Sequence, residues 1–230
     1  MQTGGHILSD FNSAMEDFRQ KMITIGSLTQ QNLENAIRGL LDRNIELCNQ
    51  VIADDEEVDQ LEIIIDEEGV LLMSKYRLFA GDLRMVISSM KITNNLERIS
   101  DHAVSIAKRS RKILRNSELP ENRLVEPIYQ LANNMLTKAL TAYNDGSKGI
   151  ALEVIRADDE LDALHKSTHR KLTKCLEGEC SNYKDYLNLV FICRWLERVG
   201  DLSVNIAEDV VFMETATDIR HGGELSDEEE

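Results

Sequence analysis

The chain contains one phrase twice, about a hundred residues apart. The first copy is LERISDHAVSIA at residues 96–107, and the second is LERVGDLSVNIA at residues 196–207. In each copy a glutamate precedes an aspartate by four residues, so both carboxylates lie one turn apart on the same face of a helix. Like charges at this spacing destabilise a helix by about 0.2–0.5 kcal/mol. The recurrence predicts that a cation offsets this repulsion in both repeats.

The amino-acid composition favours a helical fold. The 230 residues include only 2 Pro and 12 Gly, 42% are apolar and 5% are aromatic, which favours helical packing over a β-sandwich. The duplicated phrase predicts two units of about a hundred residues each. No run of 18 apolar residues occurs and the first residues lack a signal-peptide pattern, so we expect a cytoplasmic protein without a transmembrane segment.

The net charge and the cysteine pattern exclude some classes of function. The net charge of −15 argues against a nucleic-acid partner, because phosphates require a basic surface. Residues 222–230 carry five acids and are predicted to be an acidic, disordered tail. The cysteines form no CxxC pair, so we interpret them as buried or incidental thiols; they are Cys48, Cys175, Cys180 and Cys193.

Helical periodicity extends over most of the chain. The pattern predicts helices over residues 11–41, 45–76, 82–115, 121–143, 150–176 and 183–214. Helix-poor residues and a proline at 116–120 form the clearest boundary. We therefore predict an all-α fold, a tandem repeat of two antiparallel three-helix bundles, with domains at 1–116 and 117–221.

Acidic stripes on the second and fifth helices provide a second signal. On the second helix, acids at positions i, i+4, i+7 and i+11 lie within about 60° of one another; they are Asp55, Asp59, Glu62 and Asp66. The equivalent positions of the second repeat, 103 residues later, are Asp158, Asp162, His165 and His169. Carboxylates and imidazoles are the ligands expected of iron, zinc or manganese, and a bundle can present them from facing helices.

Two interpretations of these acids stay open. One is a pair of metal sites, in which Glu97 and Asp101 face the second helix while Glu197 and Asp201 face the fifth. The other is a set of solvated faces whose carboxylates pair with nearby arginines, namely Arg98, Arg194 and Arg198. The remaining histidines, His6, His102 and His221, lack an acidic context and are interpreted as incidental.

Enzyme signatures are absent from the sequence. No acyl-transfer motif, P-loop or dinucleotide fingerprint occurs. The Glu-x-x-His spacing of di-iron bundle oxidases is also missing, and the nearest match is Asp162 with His165. We therefore expect a protein that is not an enzyme, with a carboxylate-bound metal enzyme or metal-storage bundle as the alternative.

The chain resembles the PhoU family of bacterial phosphate-signalling proteins. The matching segments are 80–84 (AGDLR), 96–103, 194–201 (RWLERVGD) and 205–208, together with the acidic runs 55–61 and 158–164. The similarity extends over residues 7–213. Three departures occur: Ser100 stands where the family usually has glycine, residues 77–79 replace a common Gln-Pro pair, and the acidic tail at 222–230 is not part of the family pattern.

The resemblance implies a cytoplasmic, often dimeric negative regulator without catalytic activity. Such proteins couple the ATPase subunit of the phosphate ABC transporter to a membrane sensor histidine kinase, and so reach the membrane through partners. Some members carry multinuclear iron or zinc, which the fold does not require. In this sequence the metal motifs map onto Asp55, Asp59, Glu97 and Asp101, and onto Asp158, Asp162, Glu197 and Asp201, with Glu62, His165 and His169 as further candidates.

Overall fold

The chain folds almost entirely into helices. The computed structural model describes residues 3–177 and 181–220, with side chains from residue 9. Within these residues it contains six α-helices, one 3-10 helix and no strand. The α-helices are α1 (Thr3–Leu41), α2 (Ile45–Lys75), α3 (Ala80–Ile113), α4 (Glu126–Asp145), α5 (Lys148–Lys174) and α6 (Tyr183–Thr215), and the 3-10 helix is Pro120–Val125. The predicted all-α fold is confirmed.

Two helix starts differ most from the predicted boundaries: α1 begins at Thr3 rather than at residue 11, and α4 also begins away from its predicted start. The helix was expected from residue 121, but Pro120 begins a 3-10 turn and α4 starts at Glu126. Pro127 occupies its first turn, where the missing N–H has no intrahelical partner to lose. Because a proline deeper inside the helix would break the hydrogen-bond ladder, α4 cannot extend back to residue 121.

Short turns with local caps join the helices inside each repeat. Asn44 caps α2 by accepting hydrogen bonds from the backbone N–H groups of Glu46 and Leu47. In the second repeat, Gly146 ends α4 with a left-handed φ of 61° and Ser147 caps α5. These turns fold each pair of helices into an antiparallel hairpin.

The two bundles share one core. Helices α1, α2 and α3 pack together, as do α4, α5 and α6, while the most extensive contact of all joins α3 to α6. One apolar face of α3 is buried completely, at Leu96, Ile99, Ala103 and Ile106. A continuous hydrophobic cluster extends from Met15 to Met213. The boundary between residues 116 and 117 stays a prediction.

Two cysteines are buried in the core and a third is half-buried. Burial raises the pKa of Cys48 to about 11 and that of Cys193 to about 12, so both are inert core thiols. Cys175 is half-buried, and Cys180 lies outside the described residues. The tail at 222–230 also lies outside them. Across the described part of the chain, no helix is long and apolar enough to cross a membrane.

Candidate metal centre

The structure gathers the acids of the first repeat between α2 and α3. Partial burial, reinforced by four neighbouring carboxylates, raises the pKa of Glu97 to about 7; those neighbours, strongest first, are Asp101, Glu62, Asp59 and Asp55. Five of the predicted site residues therefore act on one another within a single cluster. Glu97 is half-buried, whereas Asp59 and Asp101 are exposed, so the cluster opens to solvent.

A hydrogen-bonded chain holds one member of this first cluster. Ser100 Oγ donates to Asp55 Oδ1 over 3.1 Å, and Asn32 Nδ2 of α1 donates to Ser100 Oγ over 3.2 Å. Burial raises the pKa of Asp55 and the bond from Ser100 opposes that rise. The serine that departs from the family pattern thus contacts the proposed site directly.

The acids of the second repeat gather between α5 and α6. Burial raises the pKa of Asp158, and the nearby charges of Asp201 and Asp162 raise it further. The pKa of Asp201 is also raised, first by burial and then by Glu197. Its own neighbour Arg198 opposes that rise. The second cluster therefore repeats the arrangement of the first.

Two histidines distinguish the second cluster. His165 Nδ1 lies 3.9 Å from Glu197 Oε1, and the His165 and His169 rings meet edge to face at 6.2 Å between centroids. The other nitrogen, Nε2 of His165, is buried without a hydrogen-bond partner among the described residues. Lys166 forms an ion pair of 2.8 Å with Asp162, which neutralises part of the negative charge.

The position equivalent to Ser100 is Gly200, and the two are not interchangeable. A Cβ atom at Gly200 would overlap Leu161 Cδ2, far inside van der Waals contact. Glycine therefore allows α6 to approach α5 closely, whereas α3 leaves room for a serine beside α2. The two clusters differ in their supporting residues although their acids correspond.

The donor chemistry fits a metal ion, but the side chains are not arranged around one. Among the described residues, no group of three or more His, Cys, Asp or Glu side chains could hold a metal ion. Metal binding at these acids stays a prediction. Among the described residues, no ion pair within 4.0 Å joins Arg98, Arg194 or Arg198 to a carboxylate of either cluster, but the charge of Arg198 opposes the rise in the pKa of Asp201. The alternative of carboxylates balanced by arginines therefore also stays open.

Sequence reasoning missed two residues beside the clusters. Asn32 was not singled out, although it is a buried polar residue in the apolar pattern of α1. His102 was interpreted as incidental, yet burial and the nearby Arg198 and Arg98 lower its pKa to about 4. The imidazole of His102 is therefore neutral at pH 7. It lies at the contact between α3 and α6, close to the guanidinium of Arg198 from the second repeat.

These features define a class of protein: an all-α molecule of two repeated three-helix bundles, each with a carboxylate cluster between its second and third helices. A family model described as the PhoU domain matches this chain twice, over residues 22–110 and 125–210. The chain belongs to the PhoU family.

Relatives and solved structures agree with this assignment. The chain is 33% identical over 219 residues to the phosphate-specific transport system accessory protein PhoU homolog of Pseudomonas aeruginosa, covering 95% of this chain and 90% of the relative. The crystal structure of PhoU from Pseudomonas aeruginosa superimposes with a TM-score of 0.86 at 32% identity, covering 90% of this chain and 100% of that one. The Streptococcus pneumoniae phosphate transport system regulatory protein PhoU, 24% identical, shares the fold, with a TM-score of 0.82 over 90% of this chain and 98% of its own.

Proposed function

We propose that this protein is a non-enzymatic regulator of phosphate transport. It acts as an adaptor between the ATPase subunit of the phosphate ABC transporter and a sensor histidine kinase. It works in the cytoplasm as a homodimer, reaches the membrane through these partners, and represses the phosphate-starvation response when phosphate is sufficient.

One observation carries this proposal. The similarity covers both repeats rather than a single bundle, and it extends over 95% of the chain to a relative named as an accessory protein of phosphate-specific transport. Function follows from sites more than from folds, and here both duplicated acidic motifs lie within the matched residues.

A deletion strain tests the regulatory role. Without this protein, we expect phosphate-starvation genes to stay expressed in phosphate-rich medium, because the transporter can no longer signal sufficiency to the kinase. Reporter expression is measured in the deletion strain, in a strain complemented with the wild-type chain, and in one carrying the empty vector. Normal repression in the deletion strain, with no paralogue present, would overturn the proposal.

A second candidate function is supported by the two clusters. Their partly buried carboxylates and the unpaired Nε2 of His165 favour a carboxylate-bound metal enzyme or metal store holding multinuclear iron or zinc. Redox or hydrolytic turnover after metal is added back would favour this candidate. Capture of the purified transporter ATPase subunit, with no turnover, would favour the adaptor.

A further inference from the structure

The outer face of α2 exposes a stripe of large apolar side chains. Ile63 is 50% exposed, Ile64 38%, Val70 56% and Leu71 58%. At 100° per residue these four positions lie within an arc of about 120° on the helix surface. We call them the α2 stripe. They form two pairs two turns apart, Ile63 with Ile64 and Val70 with Leu71, and the exposed Glu67 lies between the pairs. Scattered apolar residues are normal on a protein surface, but two apolar pairs on one exposed helix face favour an interaction site.

The other repeat shows that the fold does not require this stripe. The equivalent positions on α5, 103 residues later, are Lys166, Ser167, Thr173 and Lys174. All four belong to a helix that packs in its bundle as α2 does in the first. The apolar side chains of α2 are therefore an addition to one repeat, and packing within the bundle does not explain them.

The α2 stripe ends beside a small cavity. A hollow of about 160 Å³ lies between α1 and α2, with apolar walls formed by Ala14, Leu71, Leu72 and Tyr76. On the polar rim of this cavity, Lys21 Nζ already forms an ion pair with Glu68 Oε2 at 3.0 Å. A hollow of this kind suits one apolar anchor side chain from a partner, the arrangement typical of binding hot spots.

The charge around the stripe selects the partner. Helix α2 contains ten acidic residues and a single basic one, Lys75 at its last position. Asp59, Glu62 and Asp66 border one edge of the stripe. Glu57 borders the other edge beside Glu68, whose charge the ion pair with Lys21 already offsets in part. Any occupant must therefore bring apolar anchors together with positive charge on both sides.

Two other occupants fit poorly. A second copy pairing its own α2 stripe about a two-fold axis would place Glu67 near its equivalent and align the acidic edges, because such an interface uses the same patch twice. A membrane surface carries anionic lipid headgroups, which repel an acidic helix.

We propose that the α2 stripe and its adjoining cavity bind a basic amphipathic helix of a partner protein. The mode is helix on helix, with apolar anchors of the partner against the stripe and its lysines or arginines against the two acidic edges. The docking surface itself is inferred from the structure. Only the identity of the partner rests on the proposed function, in which this protein is an adaptor.

A peptide-binding experiment tests the surface. The probe is a fluorescent peptide of three Leu-Lys-Lys-Leu-Leu-Lys-Leu repeats, and its control replaces every lysine with glutamate. The test variant Ile63→Gln/Val70→Gln/Leu71→Gln removes apolar contact without changing charge or helix propensity greatly. The matched control Ile23→Gln/Leu187→Gln makes the same kind of change at exposed apolar positions elsewhere. Circular dichroism confirms that each variant is folded, and Leu71→Gln alone serves if the triple variant is not.

We expect anisotropy to show binding of the basic peptide and not of the acidic one. The stripe variant should weaken that binding by about tenfold or more, as expected for hot-spot anchors, while the control variant binds as wild type. Equal binding by the stripe variant, or no binding by wild type, would overturn the inference.

Two further outcomes would also overturn it. Conversion of a dimer to a monomer by the stripe variant would identify a self-association face, and loss of binding to phosphatidylglycerol vesicles would identify a lipid surface. Failure of the regulatory role is measured separately, in the deletion strain. Normal repression in the deletion strain, combined with stripe-dependent peptide binding, would overturn the phosphate function and leave the docking surface supported.

Discussion

At the residue scale, the two repeats differ most at Ser100 and Gly200. The serine side chain joins α1 to the first cluster through Asn32 and Asp55. The glycine instead removes a side chain so that Leu161 packs against the backbone of α6. A single position of the duplicated phrase thus serves hydrogen bonding in one repeat and close packing in the other.

We predict that Gly200→Ala destabilises the protein by about 1 kcal/mol, since overpacking costs about 1–3 kcal/mol and exceeds the ~1 kcal/mol gain in helix propensity. In a Leu161→Ala background the same change should be stabilising, because the obstructing methyl is gone. Urea unfolding of the four variants measures this coupling. Gly81→Ala, with open space around it, is the control and should not destabilise. Destabilisation of equal size in both backgrounds would contradict the packing argument.

The raised pKa of Glu97 predicts a pH dependence with a definite sign. Its folded-state pKa of about 7 exceeds the ordinary value of 4.5, so the native state binds more protons than the unfolded state between these values. The contribution of Glu97 to stability therefore falls as pH rises from about 4.5 to 7. The Glu97→Gln variant should be more stable than the wild type at pH 8, and its stability should differ little from that of the wild type at pH 4.

Urea unfolding of chelator-treated protein at both pH values provides the measurement. Glu160→Gln, on the exposed side of α5, controls for a general loss of negative charge. A stability gain that is the same at pH 4 and pH 8 would show that Glu97 does not titrate in this range.

At the element scale, the contact between α3 and α6 joins the repeats. Polar bonds supplement it: Arg109 Nη1 donates to Asn188 Oδ1, and Lys91 Nζ lies 3.5 Å from Asp209 Oδ1. The linker is also held, because Asn116 Nδ2 donates to both carboxylate oxygens of Asp185. The break in the sequence at 116–120 is therefore a connection across the surface of one packed core.

We predict that limited proteolysis cuts after the exposed Glu118 but does not separate the repeats, because α3 and α6 remain packed. Denaturing gels should show two fragments that elute together in size-exclusion chromatography. Asp185→Ala should speed this cut by about tenfold, equivalent to ~1.4 kcal/mol for the lost bonds to Asn116. Asp145→Ala, an exposed acid at the end of α4, should leave the rate unchanged. Separate elution of the fragments would contradict the shared core.

At the scale of the whole molecule, each repeat gathers a part of the negative charge into one cluster. Two carboxylate clusters lie at corresponding places in the repeats, and partial burial raises the pKa of members of both. Grouped carboxylates oppose one another's ionisation, and a bound cation would relieve that cost.

We predict that iron or zinc raises the melting temperature by roughly 5–10 °C at a hundredfold excess over Kd, and that chelator reverses the change. Asp101→Asn/Asp201→Asn should lose most of the bound metal, measured by elemental analysis of protein purified without a histidine tag, and should keep its helical circular dichroism. Glu46→Gln/Glu160→Gln removes two acids outside the clusters and should bind as wild type. Unchanged metal content in the first variant would move the site away from the repeated phrase.

The sequence by itself determined the class of fold, the repeat and the position of both acidic stripes. Helical periodicity and caps are local properties, so Asn44, Ser147 and Gly146 mark helix ends without knowledge of the rest of the chain. The spacing of Glu97 and Asp101 likewise places them on one face before any packing is known.

Only the tertiary structure decided which helices meet and which faces stay exposed. The contact of α3 with α6, the neutral His102 beside Arg198 and the support of Asp55 by Asn32 all depend on groups distant in the sequence. For the same reason, the sequence does not reveal the exposed α2 stripe, which includes Leu71. An apolar residue has the same local pattern whether its face is buried or open, and only long-range packing distinguishes the two.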